Sequence, residues 1–244
     1  MTMTLIDAPQ SFVGDPGSRV DFAIRAVTDH IRENGMRVGD SLPGEGHFAD
    51  RLGVSRAVMR EAFGALAALR LIDVANGRKA RVGAMDGSII ATSLDHAVST
   101  AQITVPEIWE VRRTIEVKTA ALAATCRTDD EADRIVALAA EMVRARDDMP
   151  TMTRIDIAFH EAIAKASHNA LFVQIVASFA PLMEVAVPAA WRTRKAGSEP
   201  DVMLERHRRV AEAIRARDPA AAAAAMEDHF DAAVRNDLTA DGAN

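Results

Sequence analysis

The sequence of 244 residues holds a single cysteine and no apolar run long enough to span a membrane. One cysteine excludes an intrachain disulfide framework and fits a reducing compartment, so a cytoplasmic protein with no membrane partner is expected. That cysteine, Cys126, closes the Ala-rich run Ala120 to Cys126 and reads as a small buried filler rather than a reactive thiol. Residues 1–17 lack the basic start and apolar core of a signal peptide and read as a flexible N-terminal arm. There is no long internal repeat. An excess of basic charge is missing too: the net charge is -6, which at first argues against nucleic acid.

The distribution of charge reverses that argument. Residues 1–83 carry eleven Lys and Arg against ten Asp and Glu, net +1, whereas residues 84–244 carry 18 against 25, net -7. A near-neutral first part can hold a DNA-binding face if its arginines are gathered on one side. With 49% apolar residues, the chain has material for two cores.

Helical spacing of Val20, Ile24, Val27 and Ile31 predicts a first helix over 18–34, ended by Gly35. Pro43 and Gly44 precede a short helix, about 45–52. Gly53 breaks it, and Ser55 caps a further helix from Arg56 to about Leu69. Helix, tight Gly turn and helix form a helix-turn-helix. Leu71-Ile72-Asp73-Val74 and Lys79-Ala80-Arg81-Val82 read as short strands around the hairpin signal Asn76-Gly77, which makes a wing. From Ser88 onward only helix signals occur, over 88–99, 105–126, 129–147, 151–167, 169–194, 200–217 and 219–238. Thr128-Asp-Asp-Glu is a capping pattern and Pro219 a first-turn proline. Pro181 and Pro188 should kink or split the segment 169–194. Ala220 to Ala225 reads as a tightly packed helix rather than disorder. The expected fold is mainly α. It runs as an arm (1–17), a winged helix-turn-helix (18–83), a linker (84–87), an all-helical bundle for effector binding and dimerisation (88–238) and a tail (239–244).

The stretch Gly39-Asp40-Ser41-Leu42-Pro43-x-Glu45, Leu52-Gly53-Val54-Ser55-Arg56, Val58-Met59-Arg60-Glu61-Ala62, Leu66 and Asn76-Gly77-Arg78 resembles the winged-helix domain of the GntR family of bacterial regulators. Ser55 and Arg56 open the second helix of the motif and Arg60 lies one turn on, where a recognition helix meets base edges in the major groove. Arginine forks there can take two guanine acceptors. The helix start and the Ser55 hydroxyl suit a phosphate, and the tip Asn76-Gly77-Arg78 suits the adjacent minor groove. Ser55, Arg56, Arg60, Asn76, Gly77 and Arg78 are therefore the expected contacts to double-stranded operator DNA. Glu61 is expected to pair locally. The sequence departs from the family at Gly46-His47, where relatives carry a basic or polar residue after Pro-x-Glu, so one contact present in them is in doubt here.

In the second part, Asp156 and His160 stand four apart on a predicted helix, so their side chains leave from one face. His207 and His229 lie on later helices, and a bundle interior can gather such groups into a mixed oxygen and nitrogen site for a divalent metal. The other histidines, His30, His47, His96 and His168, read as ordinary hydrogen-bonded helix residues. Three segments resemble the helical FCD effector domain of the fatty-acid-regulator branch of GntR proteins. They are Ile108-Trp109-Glu110-Val111-Arg112-Arg113-x-Ile115-Glu116, Asp156-x-x-Phe159-His160-x-x-Ile163-x-x-x-Ser167-x-Asn169 and Glu205-Arg206-His207. The resemblance implies a metal held by Asp156, His160, His207 and His229, with zinc the first choice and nickel or manganese acceptable. It also implies that Arg112 pairs with the carboxylate of a small sugar acid or organic acid. The plainer reading of Arg112 is a surface ion pair with Glu116. Arg113, about 100° further round the helix, should face outward. Trp191 is either a cover for the effector or a packing residue.

These expectations describe a homodimeric, non-enzymatic, ligand-responsive transcription regulator, with repression relieved by the effector as the reading taken. A metal-dependent hydrolase and a metal-free acyl-CoA sensor are the alternatives. Four protein ligands leave little room for catalysis, and the intact Asp and His set disfavours the acyl-CoA sensor.

Overall fold

The computed structural model describes residues 18–75, 78–193 and 199–240, with side chains described up to residue 188 and again over 201–231, apart from the wing tip. Asn76 and Gly77 lie outside the described residues, as do the arm 1–17 and the last residues of the tail. The chain divides into two compact units, Met1–Asp86 and Gly87–Asn244.

In the first unit, Ser18 and Asp21 form a reciprocal capping box that starts α1 (Arg19–Glu33). Then come α2 (Glu45–Leu52) and α3 (Arg56–Ala68). Gly53 closes α2 at φ 64°, a left-handed conformation that glycine adopts without strain. Two residues later Ser55 accepts the Val58 N–H and starts α3. Strands β1 (Ile72–Asp73) and β2 (Arg81–Val82) pair antiparallel, with Ile72 opposite Val82. The loop 39–42 adds a third, short partner: Val82 donates to Asp40 and Leu42 to Ala80. The wing is thus stitched to the segment that leads into α2, which strand propensity did not reveal. Leu42, Phe48, Met59, Leu66 and Ile72 fill the core beneath α1. Gly83 leaves the wing where a β-carbon would fall 2.3 Å from the Arg70 carbonyl oxygen, so only glycine fits without a backbone shift.

Among its described residues the second unit is built of helices joined by short connections, with no strand. It comprises α4 (Ser88–Ser99), α5 (Val105–Cys126), α6 (Asp129–Arg144), α7 (Met149–Ala166), α8 (Ala170–Ser178), α9 (Ala180–Thr193), α10 (Glu199–Arg215) and α11 (Pro219–Ala240). Helix α5 packs on α7, α10 and α11, and α6 on α7 and α10. Thr104 with Glu107, and Thr128 with Glu131, make capping boxes. Asp148 caps α7 through the Thr151 N–H and so moves the start of that helix back from 151. Segment 169–194 does split, by a bend of 46°, but the break falls at Phe179. Pro181 follows in the first turn of α9, where a missing N–H is harmless, and Pro188 is carried within α9. Among the described residues no single helix is long and apolar enough to cross a membrane.

Two expectations are corrected. Cys126 is exposed, not buried. The buried stripe of α5 runs through Arg112, Glu116, Thr119, Ala120, Ala123 and Ala124 to the cap residue Arg127, and Cys126 lies off it. Arg113 does not simply face water. It is half-buried and ties α5 to α11, with Nε 2.9 Å from Asp231 and Nη2 2.7 Å from Glu227. The low-complexity Ala220 to Ala225 run buries Ala222 completely against the core.

Glu131 gives a pH-dependent prediction. Slight burial pushes its carboxyl up, but hydrogen bonds from Thr128 and the His168 ring outweigh this and hold it below its ordinary value of 4.5. The unfolded chain therefore takes up the proton first. The stabilisation is present above pH 4.5 and is lost as pH falls through the depressed folded value. Glu131→Gln keeps an acceptor for the Thr128 N–H but removes the negative charge from the start of α6, and should cost about 0.3–1 kcal/mol at pH 7. Urea unfolding at a series of pH values should show the two chains converging as the medium is acidified.

Candidate functional site

The buried stripes of α7, α10 and α11 are mostly apolar, and apart from Thr153 on α7 the polar groups they bury are the predicted ligands. On α7, Asp156 and His160 interrupt a stripe of Met152, Phe159 and Ile163; on α10, His207 lies among Met203, Leu204, Val210 and Ile214; on α11, His229 lies between Met226 and Phe230. Helical spacing turns each stripe inward, so packing the helices brings the polar groups to one place. His160, His207 and His229 each offer a ring nitrogen, all within 4.8 Å of one another. Ring centroids are 4.4 Å apart for His207 and His229 and 5.2 Å for His160 and His229. Asp156 joins them, its Oδ1 3.0 Å from His207 Nε2. Phe159 and Phe230 wall the cluster edge-on against His207 and His229.

The donor set fits a cation. His207 Nδ1 lies 2.9 Å from the Met203 carbonyl, which can only accept, so this nitrogen carries a proton. A neutral His207 then presents a lone pair at Nε2, facing another lone pair on Asp156. Two acceptors this close need positive charge between them, from a proton or a metal ion. Burial pushes the Asp156 carboxyl up, but the His207 hydrogen bond and the nearby His160, His207 and Arg112 outweigh it and hold it at about 2. The group is therefore an anion ready to bind a cation. Three imidazoles with one carboxylate is a donor set that zinc, nickel or manganese accepts.

Arg112 points into the same interior. Its Nε donates to Glu116 Oε1 at 2.7 Å, and its guanidinium lies 4.9 Å from the Trp109 ring and 5.4 Å from that of Phe230. Nη1 faces Met183 Sδ. The four-residue pair with Glu116 exists, but in the core rather than at the surface, with both side chains at most 3% exposed. Glu116 was read from the sequence only as a possible partner for Arg112. Its second oxygen bonds His160 Nδ1, which the sequence reading missed. The available signal was its place on the buried stripe of α5. Burial pushes the Glu116 carboxyl up, but Arg112 and His160 outweigh this and keep it ionised below the usual range. The Trp191 side chain lies outside the described residues.

In the first unit, Ser55, Arg56, Arg60 and Arg78 are all exposed. Arg56 and Arg60 share one face of α3 from its first turn, and Arg60 Nε reaches Glu45 at 4.0 Å, a contact open to water. Gly46 lies under Arg56: a β-carbon there would meet the guanidinium at 3.8 Å. The departure from the family pattern thus sits against an expected DNA contact. Ser55 Oγ accepts the Val58 N–H, which leaves its hydroxyl proton for an outside acceptor.

A winged helix-turn-helix in one chain with a helical unit that gathers three histidines able to hold a metal is the build of a one-component transcription regulator. Comparison with known proteins agrees. Residues 20–82 match the family described as bacterial regulatory proteins, gntR family, and residues 107–232 match the FCD domain. The Glc operon transcriptional activator of Escherichia coli (strain K12) is 30% identical over 207 residues, covering 82% of each chain. The regulator LutR of Bacillus subtilis (strain 168) is 29% identical over 202 residues, covering 82% of this chain and 92% of that one. The galactonate operon transcriptional repressor of E. coli (strain K12) is 27% identical over 190 residues, covering 75% and 81%. A solved Streptococcus agalactiae GntR structure has the same fold, with a TM-score of 0.60 at 24% identity, covering 88% of this chain and 99% of that one. The chain belongs to the GntR family of transcription regulators, with an FCD regulatory domain. These relatives are named as regulators of transcription, not as enzymes.

Proposed function

We propose that this regulator is a cytoplasmic homodimeric repressor that releases its operator when a small carboxylate binds beside a metal ion in the second unit. The observation that carries the reading is the convergence of Asp156, His160, His207 and His229 in the core. These four residues hold the metal, with zinc preferred and nickel or manganese possible. When bound, the ion supplies a Lewis-acidic point that an oxyanion can share. Arg112 supplies the second anchor: its Nε is committed to Glu116 and its Nη1 faces Met183 Sδ, so Nη2 receives the carboxylate. Trp191 is the proposed cover. A sugar acid or organic acid as effector is supported by the name of the galactonate repressor. Relatives are named both as activators and as repressors, and repression is the sign proposed for this chain.

Residues 18–83 carry DNA attachment, 84–87 the link, and 88–238 dimerisation and sensing. Ser55, Arg56 and Arg60 face the major groove and its phosphates, and the tip Asn76, Gly77 and Arg78 enters the minor groove. Two such heads on a two-fold axis read a palindrome. Effector binding regulates only if it favours one arrangement of the heads over another.

The test of attachment uses DNA that the wild-type protein selects from a random duplex pool. Arg60→Ala should weaken binding about 5- to 150-fold, the equivalent of roughly 1–3 kcal/mol for one bidentate base contact. Sedimentation should show an unaltered oligomer. Fluorescence anisotropy that gives an unchanged affinity would remove α3 as the recognition helix.

A further inference from the structure

We propose that Glu116 is the positioning residue of the centre: it grips His160 by Nδ1 so that Nε2 is the nitrogen offered to the metal, and Arg112 holds Glu116 in place for this. The inference rests on the metal reading above and adds a residue to it that is not itself a ligand.

Three observations converge on Glu116. First, its two oxygens serve opposite sides. Oε1 accepts from Arg112 Nε at 2.7 Å, while Oε2 bonds His160 Nδ1. The carboxylate is therefore fixed at both ends and cannot rotate without breaking a contact. Second, an ionised carboxylate only accepts, so the proton between the two groups belongs to His160 Nδ1. The neutral ring then has its lone pair at Nε2. Third, Glu116 is 1% exposed, so no water competes for either oxygen.

A comparison within the site sharpens the assignment. His207 is held in the same way, its Nδ1 donating to the backbone carbonyl of Met203 one turn earlier on its own helix. His160 takes its partner from α5 instead. The Met203 carbonyl is present whatever side chains surround it, but the grip on His160 depends on one glutamate and on the arginine behind it. An outer carboxylate that orients a ligating imidazole also makes its free nitrogen a better donor, and losing such a partner typically lowers metal affinity about 10- to 100-fold.

Glu116→Gln tests this in the full-length protein. The carboxamide keeps the shape but has one acceptor oxygen, so it can serve Arg112 or His160 and not both. Zinc affinity, measured by competition with a chromophoric chelator, should fall roughly 10- to 100-fold with all ligands intact. The visible absorption of the cobalt(II)-loaded protein should also shift, a change in ligand geometry that mere loosening of the fold would not produce. Equal zinc affinity with an unaltered cobalt spectrum overturns the proposal. If the variant does not fold, wild-type protein labelled with 15N-histidine answers the question. With zinc bound, His160 should show a protonated Nδ1 and a metal-bound Nε2. Coordination through Nδ1 overturns the proposal. A wild-type chain that takes up no zinc overturns the metal reading, and this inference with it. Zinc uptake that is strong and indifferent to residue 116 overturns this inference alone.

Discussion

Replacing Arg112 with Met should lower the stability of the protein by about 3–5 kcal/mol, the usual result of stranding one member of a buried ion pair. Arg112 and Glu116 are both almost fully enclosed, so water cannot take over when the guanidinium is removed. Met fills much of the volume and also sits well beside Met183, Trp109 and Phe230. The loss is therefore electrostatic rather than a packing defect. For a unit of this size it corresponds to a drop of roughly 10 °C in melting temperature. The double variant Arg112→Met with Glu116→Gln should recover most of the loss, because residue 116 then carries no charge to strand. A thermal denaturation cycle over the four chains measures the coupling. Additive single effects would show that the pair contributes nothing as a pair.

Zinc should stabilise the protein strongly, and the effect should vanish when His207 is replaced with Ala. A ligand that binds only the folded state stabilises by mass action, about 4 kcal/mol when its free concentration is a thousand times its dissociation constant. His207 is central to this because it touches both other imidazoles and Asp156. Its loss removes a ligand and also leaves the carboxylate without its closest partner. The expected record is a melting temperature that rises with zinc in the wild type, falls with chelator, and ignores both in His207→Ala. Metal analysis of the purified chains should give the same contrast. A variant that still responded fully to zinc would place the ion elsewhere.

Much of the first unit was legible in sequence order because its signals are local. Gly53 marks a left-handed helix end, Ser55 a helix start, and each acts within a few residues of itself. The capping boxes at Thr104 and Thr128 belong to the same class, although only the second was read in advance. Errors arose where the deciding partner is remote. Cys126 was assigned from its Ala-rich neighbourhood, but burial at the end of α5 depends on which face meets α10, and that face ends on Arg127. Arg127 bonds the Ile214 carbonyl there. Arg113 was sent outward by its angle round the helix, yet α11 supplies Glu227 and Asp231 on that side. The split of 169–194 was expected from two prolines, but the break came at Phe179, because first-turn and interior prolines were not distinguishable until the helix ends were set.

Helix starts, the inward stripe of each helix and the chemical kind of every group on those stripes were written into the residues themselves, because backbone hydrogen bonding and helical period act over one or two turns. Which stripes meet was settled only by the packed bundle. Asp156 and His160 share a face by covalent spacing alone, whereas His207, His229, Glu116 and Arg112 reach them across helices whose mutual placement comes from burying apolar surface. Hydrophobic burial is non-directional and summed over the whole core. No short stretch of chain specifies that Glu116 will stand between a guanidinium and an imidazole.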